Sequence, residues 1–120
     1  MDYPTLKIIH LVGLVLVFMG LAGVLASKAS SDAPFKKRWI FHLSHGLGLL
    51  LIIYSGFALA YQLGIRESVP GWLKGKMVIW LLAGGSMVLV TRFSRFAGSL
   101  LIGFAMLVLI GAWLAIKKPF

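Results

Sequence analysis

Three histidines and one lysine lie inside apolar stretches of this sequence, where ionisable side chains are costly and usually functional. His10 lies near the start of the first stretch, His42 and His45 near the start of the second, and Lys76 near the start of the third. An imidazole can bind a metal or a haem iron, and an ammonium can pair with an anion. All four are therefore candidate cofactor-binding residues. His10 and Lys76 are also candidate catalytic residues, and His10 and His45 are candidate metal ligands.

The depth of each side chain decides which of them can share a ligand. In antiparallel helices that rise 1.5 Å per residue, His10 lies about 7 Å below one surface and His45 about 9 Å below the other. About 14 Å then separates them in a core of about 30 Å. Lys76 enters from the same side as His10 and reaches its level. We therefore expect His10 and Lys76 to share a ligand, and His45 to pair with a ligand at its own level or with a histidine of a second copy of the chain.

Each of these side chains also has a structural interpretation. A histidine in a membrane helix can donate a hydrogen bond to a carbonyl or hydroxyl of a neighbouring helix, or lie among the headgroups. Lys76 can likewise extend its ammonium to the headgroups. Tyr61 and Trp72 are expected at the same end of the protein, where a planar apolar ligand can stack on aromatic rings. The sequence leaves both interpretations open.

The elements that position these residues are predicted to be membrane helices. The chain has 120 residues, of which 60% are hydrophobic and 12% charged, whereas about a quarter of the residues of soluble domains are charged. Four apolar runs occupy residues 6–26, 39–62, 72–90 and 96–116, and each matches the roughly 20 residues that cross a bilayer. Backbone groups must be paired in hydrocarbon and the loops are short. The sequence therefore predicts one membrane domain, an all-α, antiparallel four-helix bundle.

Small residues recur in all four runs and predict close packing between the helices. They are Gly13, Gly20, Gly23, Gly48, Gly56, Gly84, Gly85, Ser99 and Gly103.

The net charge of +9 comes from basic residues near the ends of the apolar runs. They form no stripe that follows nucleic-acid phosphates, so we expect the lipid bilayer and no nucleic acid as a partner. If Lys7 and Lys76 point into the bundle, the positive-inside rule places both termini outside the cytoplasm, and the expected location is a bacterial inner membrane. The basic residues predicted on the side of the termini are Lys7, Arg66, Lys74, Lys76, Lys117 and Lys118. Those predicted on the opposite side are Lys28, Lys36, Lys37, Arg38, Arg92 and Arg95.

Several kinds of chemistry are excluded or disfavoured. The chain has no cysteine, which excludes disulfides, thiolate metal sites and thiol redox reactions. Its three carboxylates, Asp2, Asp32 and Glu67, lie at a terminus or in loops. The predicted core thus has no carboxylate to exchange protons, which disfavours a proton-coupled exporter. The first apolar run is about twice as long as a signal-peptide core, so a retained helix is expected.

Short motifs at three places resemble the HemJ-type protoporphyrinogen oxidases. They are Leu6-Lys7-Ile8-Ile9-His10, Gly71-Trp72-Leu73 followed by Lys76, and Lys118-Pro119-Phe120. The resemblance implies that His10 and Lys76 are functional in a haem-bearing membrane protein that oxidises protoporphyrinogen IX. The second helix, with His42-Leu43-Ser44-His45 and Tyr54-Ser55-Gly56, is more similar to SirB-like and CopD-like membrane proteins.

Three functions are compatible with these residues. The first is the binding of haem b or another tetrapyrrole in a redox-linked role, with His10 coordinating or polarising the ligand and Lys76 pairing with a propionate. The second is a non-catalytic membrane scaffold or subunit, which the recurring glycines favour. The third is transport of a small solute between the helices, which the absence of a core carboxylate disfavours. The sequence leaves open whether the protein is an enzyme and whether it forms homo-oligomers.

Overall fold

A computed structural model describes residues 2–29, 39–65 and 68–117. Four α-helices account for most of them: α1 (Tyr3–Ala29), α2 (Trp39–Gln62), α3 (Gly71–Arg92) and α4 (Ala97–Lys117). The prediction of an all-α chain with four helices is confirmed, and each helix is long and apolar enough to cross a membrane. Some predicted loop and tail residues lie outside the described ranges: the basic cluster Lys36-Lys37-Arg38, Arg66 and Glu67, and the tail Lys118-Pro119-Phe120.

Helix α1 extends about three residues beyond the predicted run at each end. At its start, the Asp2 carboxylate accepts a hydrogen bond of 3.2 Å from the Thr5 amide, which caps the helix. Hydrogen bonds with Thr5 lower the pKa of the Asp2 carboxyl. At the other end, Ser27 lies just beyond the predicted run 6–26 but is buried within the helix. The predicted end was wrong because the run was ended at its last apolar residue, whereas the helix continues through this buried polar side chain.

The turn between α3 and α4 is shorter than predicted. Arg92 is the last residue of α3 rather than a turn residue, and a single 3₁₀ turn at Ser94–Phe96 leads into α4. The Phe93 amide donates to the Leu89 carbonyl at 2.8 Å, and the Phe96 amide donates to the Phe93 carbonyl at 3.0 Å. Because these bonds pair the backbone through the turn, α4 reverses direction directly after α3.

Helices α1 and α2 are antiparallel, and their backbones are in contact. A Cβ atom placed on Gly48 would lie 2.6 Å from the carbonyl oxygen of Gly13, and one on Gly20 would lie 2.5 Å from the carbonyl oxygen of Phe41. Neither position accepts a side chain unless the helices separate. The prediction of glycine-mediated packing is confirmed for this pair, which is the most extensive helix pairing of the described chain.

The same prediction is wrong for two glycines of the other pair. Among the residues that the structure describes, nothing lies within 4 Å of a Cβ placed on Gly85 or Gly103. Helices α3 and α4 approach elsewhere, where Leu114 packs against Gly75. Glycines are frequent in membrane helices whether or not they pack, so their presence alone did not identify the contact.

The apolar core lies between α1 and the other helices, because α1 contacts all three of them. Phe18 of α1 meets Phe104 of α4 with ring centroids 6.2 Å apart. The Trp80 indole of α3 donates to the Leu49 carbonyl of α2 at 3.0 Å, so α3 is hydrogen-bonded to the α1–α2 pair. The buried apolar members of this core are Val17, Leu21, Val24, Leu25, Ala83, Val90 and Phe104.

We predict that Gly20→Ala lowers the free energy of unfolding by about 1–3 kcal/mol, because the new methyl overpacks the contact between α1 and α2. Gly85→Ala is the matched control, with open space for its methyl, and we expect it to be neutral or to stabilise by up to about 1 kcal/mol. Unfolding in mixed detergent micelles, followed by circular dichroism, measures both variants. Equal effects of the two substitutions would contradict the packing described.

Candidate functional site

His10 lies half-buried on α1, opposite the middle of α2. Its ring nitrogen Nδ1 is 2.9 Å from the Ser55 hydroxyl oxygen. The Ser55 hydroxyl lies 2.6 Å from the Leu51 carbonyl, to which it donates, and 3.3 Å from the Ile52 carbonyl. The imidazole is therefore held against α2 through the Ser55 hydroxyl.

Lys76 lies half-buried on α3 and is close enough to His10 for an electrostatic interaction with its ring. The neighbouring residue Gly75 packs against Leu114 near the end of α4. Trp72, half-buried, and Tyr61, exposed, lie at the end of the helices where α2 finishes and α3 begins. The structure thus brings an imidazole and an ammonium from two helices to the same end of the protein.

His45 occupies a different place. It is only 5% exposed and lies opposite Gly20, ten residues along α1 from His10, which corresponds to about 15 Å along the helix. Its Nδ1 is 3.4 Å from the Val17 carbonyl oxygen. Its Nε2 is buried without a hydrogen-bond partner among the described residues. His10 and His45 are therefore not brought together around one ligand.

The remaining candidates do not join a cluster. His42 lies exposed on α2. Within residues 2–29, 39–65 and 68–117, no three His, Cys, Asp or Glu side chains gather to hold a metal ion. Lys7 is exposed, with its ammonium 5.2 Å from the centre of the Tyr3 ring, which directs it toward the start of α1 and away from the protein interior.

A cavity of about 210 Å³ opens between α3 and α4. Its lining is mostly apolar, with Ser86 and Ser99 as the polar members. It begins at Leu82 on α3, nearly two turns from Lys76, and pockets for drug-sized ligands start at about 300 Å³. This cavity is therefore separate from the pair His10 and Lys76 and is too small for a tetrapyrrole.

Ser55 was not among the predicted site residues, although it is the hydrogen-bond partner of His10. It appeared only within the motif Tyr54-Ser55-Gly56, yet it is fully buried and contacts His10. Its position relative to the glycines could have identified it. Gly13 lies against Gly48. In antiparallel helices this register places His10, three residues before Gly13, opposite residues 51–55.

The fold and this site define a class of protein: an all-α chain of four helices, each long and apolar enough to cross a membrane, with a half-buried imidazole and a half-buried ammonium at the same end. No known protein family, curated protein or solved structure matches this chain.

We predict that His45→Leu leaves the free energy of unfolding within about 1 kcal/mol of the parent, or raises it. An apolar side chain of similar size removes a buried nitrogen that has no partner in the described chain, and such nitrogens cost about 1–3 kcal/mol. His42→Leu, at an exposed position of the same helix, is the matched control. A loss of more than about 2 kcal/mol for His45→Leu alone would show that Nε2 has a partner outside the described residues.

Proposed function

We propose that the chain is an integral membrane protein whose four helices form an antiparallel bundle in a bacterial inner membrane. Support comes from the length and apolar character of α1, α2, α3 and α4 and from many large apolar side chains exposed on their outer surfaces. Such a surface is unfavourable in water and suited to acyl chains. Lys7 is exposed and stays in the charge balance, whereas Lys76 is half-buried and is discounted from it. The smaller remaining excess of basic residues on the opposite side assigns both termini to the non-cytoplasmic side.

We infer further that the protein binds a tetrapyrrole, either haem b or a porphyrin, at the end of the bundle where His10 and Lys76 meet. The observation that carries this proposal is that a half-buried imidazole and a half-buried ammonium lie on different helices at the same end of the bundle. An apolar ring system with acidic side groups suits both the lipid-facing surroundings and the two polar groups. The redox-linked role follows from the chemistry of the ligand.

The donor set fits an anionic ligand better than a bare metal ion. The described chain offers no cluster of three ligating side chains, and the ammonium of Lys76 would repel a free cation near His10. A tetrapyrrole brings its own four nitrogen donors and two carboxylates. His10 then has to supply one imidazole nitrogen, and Lys76 binds a carboxylate through charge-assisted hydrogen bonds. Tyr61 and Trp72 supply rings at the same end of the helices.

Haem, when bound, supplies reversible one-electron chemistry at its iron. His10 orients the ligand and tunes it through the imidazole, while Lys76 fixes the acidic edge. At its most specific, the resemblance to HemJ-type proteins implies oxidation of protoporphyrinogen IX, with His10 and Lys76 as the catalytic residues. That reaction removes hydrogen from the tetrapyrrole: the electrons would pass to a lipid-soluble oxidant such as a quinone, and His10 would accept a proton through a neutral ring nitrogen.

A membrane scaffold without a catalytic site is the second candidate. It is favoured by the hydrogen bond between His10 and Ser55, which satisfies the imidazole locally, and by the backbone contact between α1 and α2. In that function, His10 joins two helices and Lys76 lies beside it without a ligand from outside the protein.

Titration of the purified protein with haem and with porphyrin, followed by visible spectroscopy, separates the two functions. We predict saturable binding with a shifted Soret band. His10→Ala is expected to remove the spectral shift of haem. Lys76→Met is expected to weaken binding of both ligands about tenfold or more, because a charge-assisted hydrogen bond is worth about 1.5–3 kcal/mol.

Two matched controls keep the experiment specific. Lys74→Met removes an exposed lysine from the same helix, and His42→Ala removes an exposed histidine. Both are expected to bind like the parent. Binding that is absent from the parent protein, or that falls equally in the control and test variants, would refute the tetrapyrrole site and favour the scaffold.

A further inference from the structure

The hydrogen bonds around Ser55 fix where its proton goes. Its oxygen lies 2.6 Å from the Leu51 carbonyl oxygen, and a carbonyl can only accept. The single hydroxyl proton of Ser55 is therefore used in this bond. Toward His10, whose Nδ1 is 2.9 Å away, the Ser55 oxygen has only lone pairs to offer.

The consequence for His10 follows directly. A short contact between Nδ1 and an oxygen that has no proton left requires that Nδ1 carry the proton and donate it. In a neutral imidazole the other nitrogen, Nε2, then holds the lone pair. Free histidine in water prefers the opposite tautomer, with the proton on Nε2.

We propose that Ser55 is a positioning residue that holds His10 in the Nδ1-protonated tautomer, so that Nε2 is presented as the acceptor or metal-coordinating atom. In metal sites, a group that accepts a hydrogen bond from the ring nitrogen not bound to the metal orients the ligating histidine in this way. Ser55 is suited to the role because it is fully buried and its hydroxyl is fixed by the helix itself.

This assignment narrows the ligands that the site accepts. The assigned tautomer is a property of the protein alone. Only the choice of haem as the probe rests on the proposed tetrapyrrole function. A site with a lone pair at His10 and a cation at Lys76 takes a ligand with a hydrogen-bond donor or an open metal position at one point and an anionic oxygen at another. It excludes ligands that offer only acceptors to His10.

Nitrogen-15 NMR of the histidine-labelled full chain in detergent micelles, at a pH where the imidazoles are neutral, measures the tautomer. The signals of His10 are assigned by their loss in His10→Gln. We predict a protonated-type shift for Nδ1 and an unprotonated-type shift for Nε2 of His10. His42, which is exposed, serves as an internal reference and is expected to favour the opposite tautomer. A His10 ring protonated at Nε2 would overturn the proposal.

Ser55→Ala is expected to lower the Nδ1-protonated fraction of His10 and to weaken haem binding about tenfold or more. The matched control is Ser86→Ala on α3. Ser86 is similarly buried, at 4% exposure against 0% for Ser55, and its hydroxyl makes the same 2.6 Å bond to a carbonyl four residues earlier. If removing a buried serine of this kind unfolded the protein, both variants would be affected. The shift in tautomer is expected in Ser55→Ala alone.

The NMR measurement and the haem titration test different proposals. If His10 has the predicted tautomer but the protein binds no haem, the role of Ser55 is upheld and the tetrapyrrole proposal is refuted. Haem binding with His10 protonated at Nε2, or a tautomer unchanged in Ser55→Ala, removes the role of Ser55 and leaves the proposed function standing.

Discussion

The contact between the backbones of α1 and α2 is the constraint on which the rest of the structure depends. At Gly13 and Gly48, and again at Gly20 and Phe41, there is no room for a side chain between the two helices. Helix association in a membrane gains little from the hydrophobic effect, because lipid chains are as apolar as the side chains. Close approach of backbones, with the dispersion contacts it permits, is the main source of stability for such a pair.

That contact also sets the register, and the register decides what happens to each polar side chain. It places His10 against Ser55 and places the His45 ring against the α1 backbone at Val17. A shift of one turn would separate His10 from its hydroxyl partner. Helix α3 is then attached through the bond from Trp80 to Leu49, and this attachment brings Lys76 to the level of His10.

The sequence predicted the helices well, because a long, uninterrupted apolar run has few alternatives to a helix. It also predicted that His10 and Lys76 lie at one end, since depth follows from counting residues at a fixed rise. It did not predict which glycines pack. Gly48 and Gly85 look alike in sequence, and only the neighbouring helix distinguishes a filled position from an open one. Ser55 was missed for the same reason, because its partner lies 45 residues away in the chain.

His10 and Lys76 lie at one end of the bundle, and His45 lies at another level. The chain has no cysteine, so paired cysteines test this arrangement directly in native membranes with a short bifunctional maleimide. We predict that H10C with K76C becomes cross-linked within the chain and that H45C with K76C does not. Cross-linking of the second pair without the first would contradict this arrangement.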